Sequence, residues 1–134
     1  MGHVHADYDV IAEMAASDPD EPVVMLNLLK YRDVAEPGHG VDGLTGRQAY
    51  TKYGEAFAEL EPRFGGEVMW MGRGKHTVIG DQEWDIIILV RYPTRTQFIG
   101  MFNDPDYKAI ASMRAAALAD SRLIESTQLV PRLP

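Results

Sequence analysis

Three observations predict an α+β domain with a ferredoxin-like, four-stranded antiparallel sheet and helices on one face. Strand-like and helix-like segments follow in the order β-α-β, turn, β-α-β, behind one extra helix. The main helix of each half opens on the same T-x-x-Q cap, at Thr45–Gln48 and at Thr94–Gln97. The strand segments are apolar on both alternating faces, which suits a sheet covered on both sides.

Each element has its own signal. Ala6 to Ala16 sets Tyr8, Ile11, Met14 and Ala15 at helical spacing, and Ser17-Asp18-Pro19-Asp20 ends that helix. Val23 to Tyr31 (VVMLNLLKY) is apolar apart from Asn27 and Lys30, and reads as a covered strand. Asp33 to Leu44 is a connection rich in glycine, with Gly38, Gly40 and Gly43, suited to a mobile lid or entry loop over the sheet edge, or simply a tolerated insertion. Thr45 and Gln48 form a capping box. Behind it, Tyr50, Tyr53, Phe57, Leu60 and Phe64 share one helix stripe, which Pro62 weakens and Gly65-Gly66 ends.

Glu67 to Ile79 reads as a strand, with irregularity expected at Gly72 and Gly74. A turn at Gly80 to Glu83 leads to Trp84 to Tyr92 (WDIIILVRY), the strongest strand pattern in the chain. A helix carrying Phe98, Met101 and Phe102 follows the second cap. Asp104 then caps a further helix, with Pro105 at its first position, running to about Asp120. Leu123 to Val130 is the expected last strand, and Pro131 to Pro134 a tail.

The 134 residues fit one domain, with residues 1–20 as a helical extension and 22–130 as the core. The formal net charge is −7, and the 13 basic residues are scattered, so the counterion release that drives nucleic-acid binding has no basis here. Anionic membranes are disfavoured for the same reason. No apolar run approaches about 18 residues, so no transmembrane helix is expected. There is no cysteine, which excludes disulfides, thiol catalysis and thiolate metal sites. Met1 to Asp9 lacks the pattern of a signal peptide, and a cytoplasmic location is expected.

The strongest pointer to a site is Arg114. At about 100° per residue, it falls within roughly 20° of Tyr107 on the apolar stripe of its helix. A buried, unpaired charge is costly, so this arginine needs an acceptor. Two readings fit. It grips a carboxylate or enolate of a small ligand, or it forms an internal ion pair with a residue such as Asp85. Asn27 interrupts an apolar strand and either donates to a ligand oxygen or, as a satisfied buried amide, bridges neighbouring backbone or the Arg114 network.

Tyr50, Tyr53 and Trp70 can wall a pocket for a flat ligand or simply fill the core. His76 is the candidate general base, weighed against a plain surface histidine. His3 and His5 lack further partners with metal-ligand spacing, so no metal site is expected. No histidine lies on a helical stripe to hold haem, no glycine run forms a phosphate loop, and no cofactor is expected.

Asn27-Leu28-Leu29-Lys30-Tyr31-Arg32, Gly80-Asp81 to Asp85, and Asp104-Pro105 with Tyr107 and Arg114 resemble a bacterial domain-of-unknown-function family. That family sits within the dimeric α+β barrel superfamily. The resemblance covers roughly residues 22 to 129. It implies the ferredoxin-like fold and dimerisation; the second apolar face of the strands, which a monomer would expose, separately predicts a homodimer packed sheet face to sheet face. Many members carry a histidine just before the helix arginine, where this chain has Met113. Superfamily relatives include cofactor-independent monooxygenases, lactone isomerases and haem enzymes, among which fold alone does not choose.

Two function classes follow as expectations. The first is a small-ligand-binding homodimer, as a cofactor-independent oxygenase or isomerase acting on a small apolar organic acid or carbonyl compound. Arg114, Asn27, Tyr53, Trp70 and Asp85 are its site residues. The second is a non-catalytic ligand sensor or accessory subunit whose polar core is purely structural. An open, polar-floored pocket beneath the Asp33–Leu44 loop distinguishes the first from the second.

Overall fold

The computed structural model describes residues 2–131. Its elements are α1 (Tyr8–Ala15), β1 (Val23–Tyr31), α2 (Gly46–Leu60) with a 3₁₀ turn at Glu61–Phe64, β2 (Glu67–Arg73), β3 (Ile86–Tyr92), α3 (Arg95–Asn103), α4 (Pro105–Ala117) and β4 (Leu118–Ser126). The sheet order is β2-β3-β1-β4, with antiparallel pairing throughout. This is the ferredoxin-like α+β fold that the element order predicts.

The cap at Thr45 forms as expected. Gln48 N–H donates to Thr45 Oγ1 at 3.1 Å, and Thr45 N–H donates to Gln48 Oε1 at 3.0 Å. The second cap is only half reciprocal. Gln97 N–H donates to Thr94 Oγ1, but Gln97 Oε1 accepts from the Thr94 hydroxyl, at 2.9 Å, instead of from the Thr94 backbone N–H. Gly46 begins α2 where a Cβ would collide with the backbone of Arg32 and Ala117, so the residue lets three segments meet closely.

Residues paired across strands share a sheet face. The register therefore sets Met25, Asn27, Ile88, Val90, Tyr92 and Leu123 on the helix side. Leu26, Leu28, Ile87, Leu89 and Ile124 stand on the opposite face, half-buried or exposed.

Several boundaries differ from the sequence reading. The last strand starts at Leu118, not Leu123. Arg32 N–H and Glu36 N–H donate to the Ala117 and Ala116 carbonyls, both at 2.9 Å. With those carbonyls satisfied from outside, the helix passes into a strand with no glycine or proline to mark the change. The strand stops at Ser126, opposite Val24, where its partner β1 runs out. β2 ends at Arg73, the partner of Ile86, so the expected extension to Ile79 and the start of β3 at Trp84 do not form. The sheet irregularity is a bulge between Val68 and Trp70, ahead of the two glycines. The tail beyond residue 131 lies outside the described residues.

The Asp33–Leu44 connection is not a lid. Ala35 and Val41 are buried in the core, Ala35 N–H donates to Leu44 O, and Lys52 Nζ donates to Gly40 O at 2.9 Å.

One buried charge clamps the chain's start to its end. Arg95 is 4% exposed; its Nε donates to Glu125 at 2.8 Å and its Nη2 to Glu21 at 3.0 Å. Its Nη1 also donates to the Asp18 carbonyl. Removing it strands two carboxylates, so Arg95→Ala is expected to lower Tm by roughly 10 °C, read by calorimetry.

Candidate functional site

A cavity of about 210 Å³ lies between the helices and the sheet. Its wall is mostly apolar, from Met25, Phe57, Val68, Met71, Ile88, Val90, Phe98 and Met101. The polar groups on it are few: Asn27, Tyr50, Tyr53, Glu61, Tyr92, Tyr107 and Arg114.

Arg114 reaches this cavity because α4 crosses the helix side of the sheet beside α2. Its Nη2 donates to Asn27 Oδ1 at 3.4 Å, and Asn27 Nδ2 donates to Met25 O, also at 3.4 Å. Both bonds are long, so neither consumes much of the donor strength available. Among the described residues no carboxylate pairs with Arg114; the only acidic partners found for arginines belong to Arg63, Arg95 and Arg122. Burial pushes the Tyr50 phenol up to about 12, and the neighbouring Arg114 guanidinium pulls the other way. Arg114 thus stands at a cavity wall with neutral neighbours.

Tyr53 and Tyr107 share one hydrogen bond, hydroxyl to hydroxyl at 3.2 Å. Two hydroxyls joined by one bond leave one O–H free to donate. Burial holds the Tyr53 phenol well above its usual value, with the nearby Tyr107 oxygen adding to the rise. Tyr53 therefore stays a neutral phenol at ordinary pH.

Of the residues expected at a site, Asn27, Tyr53 and Arg114 share this cavity, and Trp70 and Asp85 do not. Strict alternation from Val68 would turn Trp70 inward. The bulge between them inserts one residue, so Trp70 pairs with Leu89 on the opposite face and Met71 takes the inward place. Trp70 is 53% exposed. Asp85 accepts from Tyr31 N–H at 2.8 Å and joins the ends of β1 and β3, so the expected ion pair with Arg114 does not form. His76 is exposed, beyond the end of β2, and does not line the cavity. No residue of the Asp33–Leu44 loop lines it either.

Sequence reasoning missed Glu61. It is 8% exposed and lines the cavity. Burial raises its pKa, with the Glu67 charge adding to the effect. The signal was present: Glu61 follows Phe57 by four residues on the stripe of Tyr53 and Phe57. Pro62 hides it by marking a helix end, whereas the chain continues as a 3₁₀ turn with Pro62 near its start.

The sequence model for a family described as "Domain of unknown function (DUF1330)" matches residues 41–127. The RPA0582 protein of unknown function from Rhodopseudomonas palustris is 36% identical over 98% of this chain and 100% of that chain, with a TM-score of 0.89. The At3g17210 protein of Arabidopsis thaliana shares the fold at 14% identity, covering 83% of this chain and 99% of that one, TM-score 0.55. A hydroxynitrile lyase from Passiflora edulis does so at 14% identity, covering 87% and 100%, TM-score 0.53. No curated protein matches the sequence.

Proposed function

The chain belongs to the DUF1330 family, a domain of unknown function, and on that premise we propose that it binds a small, largely apolar organic acid or carbonyl compound in the cavity between helices and sheet. The observation that carries this reading is Arg114, a cation at the wall of an apolar cavity whose protein neighbours are an amide and phenols. A guanidinium held that way is paired best by an oxygen anion brought in from outside. Asn27 accepts one long bond from the guanidinium, and the Tyr53–Tyr107 pair offers a further donor.

The finer reading is a cofactor-independent isomerisation or oxygenation. Both need an enolate-like anion stabilised at one oxygen, and Arg114 with Tyr50 supplies such a place. The alternative of a sensor or accessory subunit uses the same binding step without turnover. The protein works as a homodimer in this proposal, with the second copy covering the apolar outer face of the sheet.

Asn27→Asp tests the binding step without deleting the arginine. It sets a carboxylate where the Asn27 amide now meets Arg114 at 3.4 Å, and so gives the guanidinium an internal partner. Titration calorimetry with 3-phenylpropionate is expected to show binding to the wild type and a loss of about tenfold or more in the variant. The variant's Tm should not fall. Unchanged affinity in Asn27→Asp contradicts the assignment.

A further inference from the structure

Glu61 is a second polar pole of the same cavity, and the ligand-binding proposal leaves it unused. The residue is 8% exposed and lines the cavity, its pKa is raised by burial and by the Glu67 charge, and no hydrogen bond from a described residue reaches its carboxyl. A carboxyl at a cavity wall that no protein donor engages is open to a donor from a ligand.

Two independent rulers place it relative to Arg114. Along α2, Tyr50 lies beside Arg114, and Glu61 is eleven residues further on, a rise of about 16 Å at 1.5 Å per residue. Along β3, Ile88 is the partner of Asn27, which Arg114 touches. Tyr92 lies beside Glu61, because a Cβ on Gly66 would press on both side chains at once. Four strand residues separate Ile88 from Tyr92, or about 14 Å. One continuous cavity joins the two poles. Allowing about 3 Å of hydrogen-bond distance at each end leaves roughly 8–10 Å between the ligand's own polar atoms.

That separation also rules on chemistry. A base so far from Arg114 cannot take a proton from carbon next to a carbonyl that Arg114 holds. Glu61 therefore serves recognition at the far end. A protonated amine there would bring a second charge out of water, into a site walled by Phe98, Val90 and Tyr92, at a high desolvation cost. A neutral hydroxyl suits a buried carboxyl better.

We propose that Glu61 is a ligand-binding residue that accepts a hydrogen bond from a hydroxyl group, so that the ligand class is a hydroxylated, flat, apolar organic acid bound end to end between Arg114 and Glu61. This rests on the reading that Arg114 holds the acid. A para-substituted benzene ring with a two-carbon acid arm has the required reach. The burial that keeps the Glu61 carboxyl protonated to higher pH than usual also lets it donate to the hydroxyl oxygen.

The test compares two probes, 3-(4-hydroxyphenyl)propionate and 3-phenylpropionate, on the wild type, Glu61→Gln and Glu61→Leu by titration calorimetry. The wild type is expected to favour the hydroxylated probe by about tenfold or more. Glu61→Leu should erase or reverse that preference while holding 3-phenylpropionate at least as tightly. Glu61→Gln keeps an acceptor and the shape, and should retain part of the preference. If the hydroxyl makes no difference in the wild type, or its advantage survives Glu61→Leu, the Glu61 assignment falls and the Arg114 reading stands. If neither probe binds the wild type, both fall together.

Discussion

Leu89→Asp is expected to turn a dimer into a folded monomer. Leu89 pairs with Leu26 on one side and Trp70 on the other, at the middle of the outer sheet face. Leu28, Ile87 and Ile124 extend that apolar face around it. Contiguous apolar patches of this kind are rare on soluble monomers. A second copy related by a two-fold axis would set face against face, so each substitution would appear twice in one interface. Two carboxylates facing each other there would be both desolvated and mutually repelled. Leu89 does not belong to the buried cluster under the helices, so the fold itself should survive. Light scattering at micromolar concentration should give twice the 15.0 kDa chain mass for the wild type and one chain mass for the variant. A monomeric wild type would remove the homodimer from the account.

Arg114→Met should abolish the binding of 3-phenylpropionate, by about a hundredfold or more, and leave the protein folded. Methionine keeps the length and apolar stem of the side chain while deleting the charge. In the ligand-anchor account Arg114 carries a charge that the protein leaves without a carboxylate, so its removal costs the free protein little. Tm should stay level or rise slightly. In an account where Arg114 is a structural member of the core, the same substitution unfolds or strongly destabilises the chain. Calorimetric titration and thermal unfolding of one variant therefore separate the two.

The parts of this molecule that local chemistry determines are legible in its sequence. Thr45 with Gln48 specifies a helix start from two side chains and two backbone groups. Val23 to Tyr31 specifies a strand by its composition alone. Arg114 is visible because a charge breaks an apolar stripe, and the fold then carries it to the cavity beside Asn27. The features that escape are set by contacts between distant segments. Trp70 changes face because a bulge forms against β3, and nothing in Val68-Met69-Trp70-Met71 marks it. β4 begins at Leu118 because Arg32 and Glu36 satisfy the end of α4 from far along the chain. The loop at Asp33 to Leu44 has the glycines of a mobile segment, yet Ala35 and Val41 bury themselves and hold it down. Glu61 was obscured by a neighbouring proline, although its position on the stripe followed the same logic that picks out Arg114.

The account's central claim is that the cavity holds an organic anion on Arg114. It is tested most directly by crystals of the protein soaked in 3-(4-bromophenyl)propionate, with the bromine located by its anomalous scattering. The predicted result is a carboxylate within hydrogen-bond distance of the Arg114 guanidinium and a bromine at the opposite end, near Glu61 and Tyr92. A bromine found only on the outer sheet face, or an empty cavity with Arg114 paired to a protein carboxylate, would contradict it.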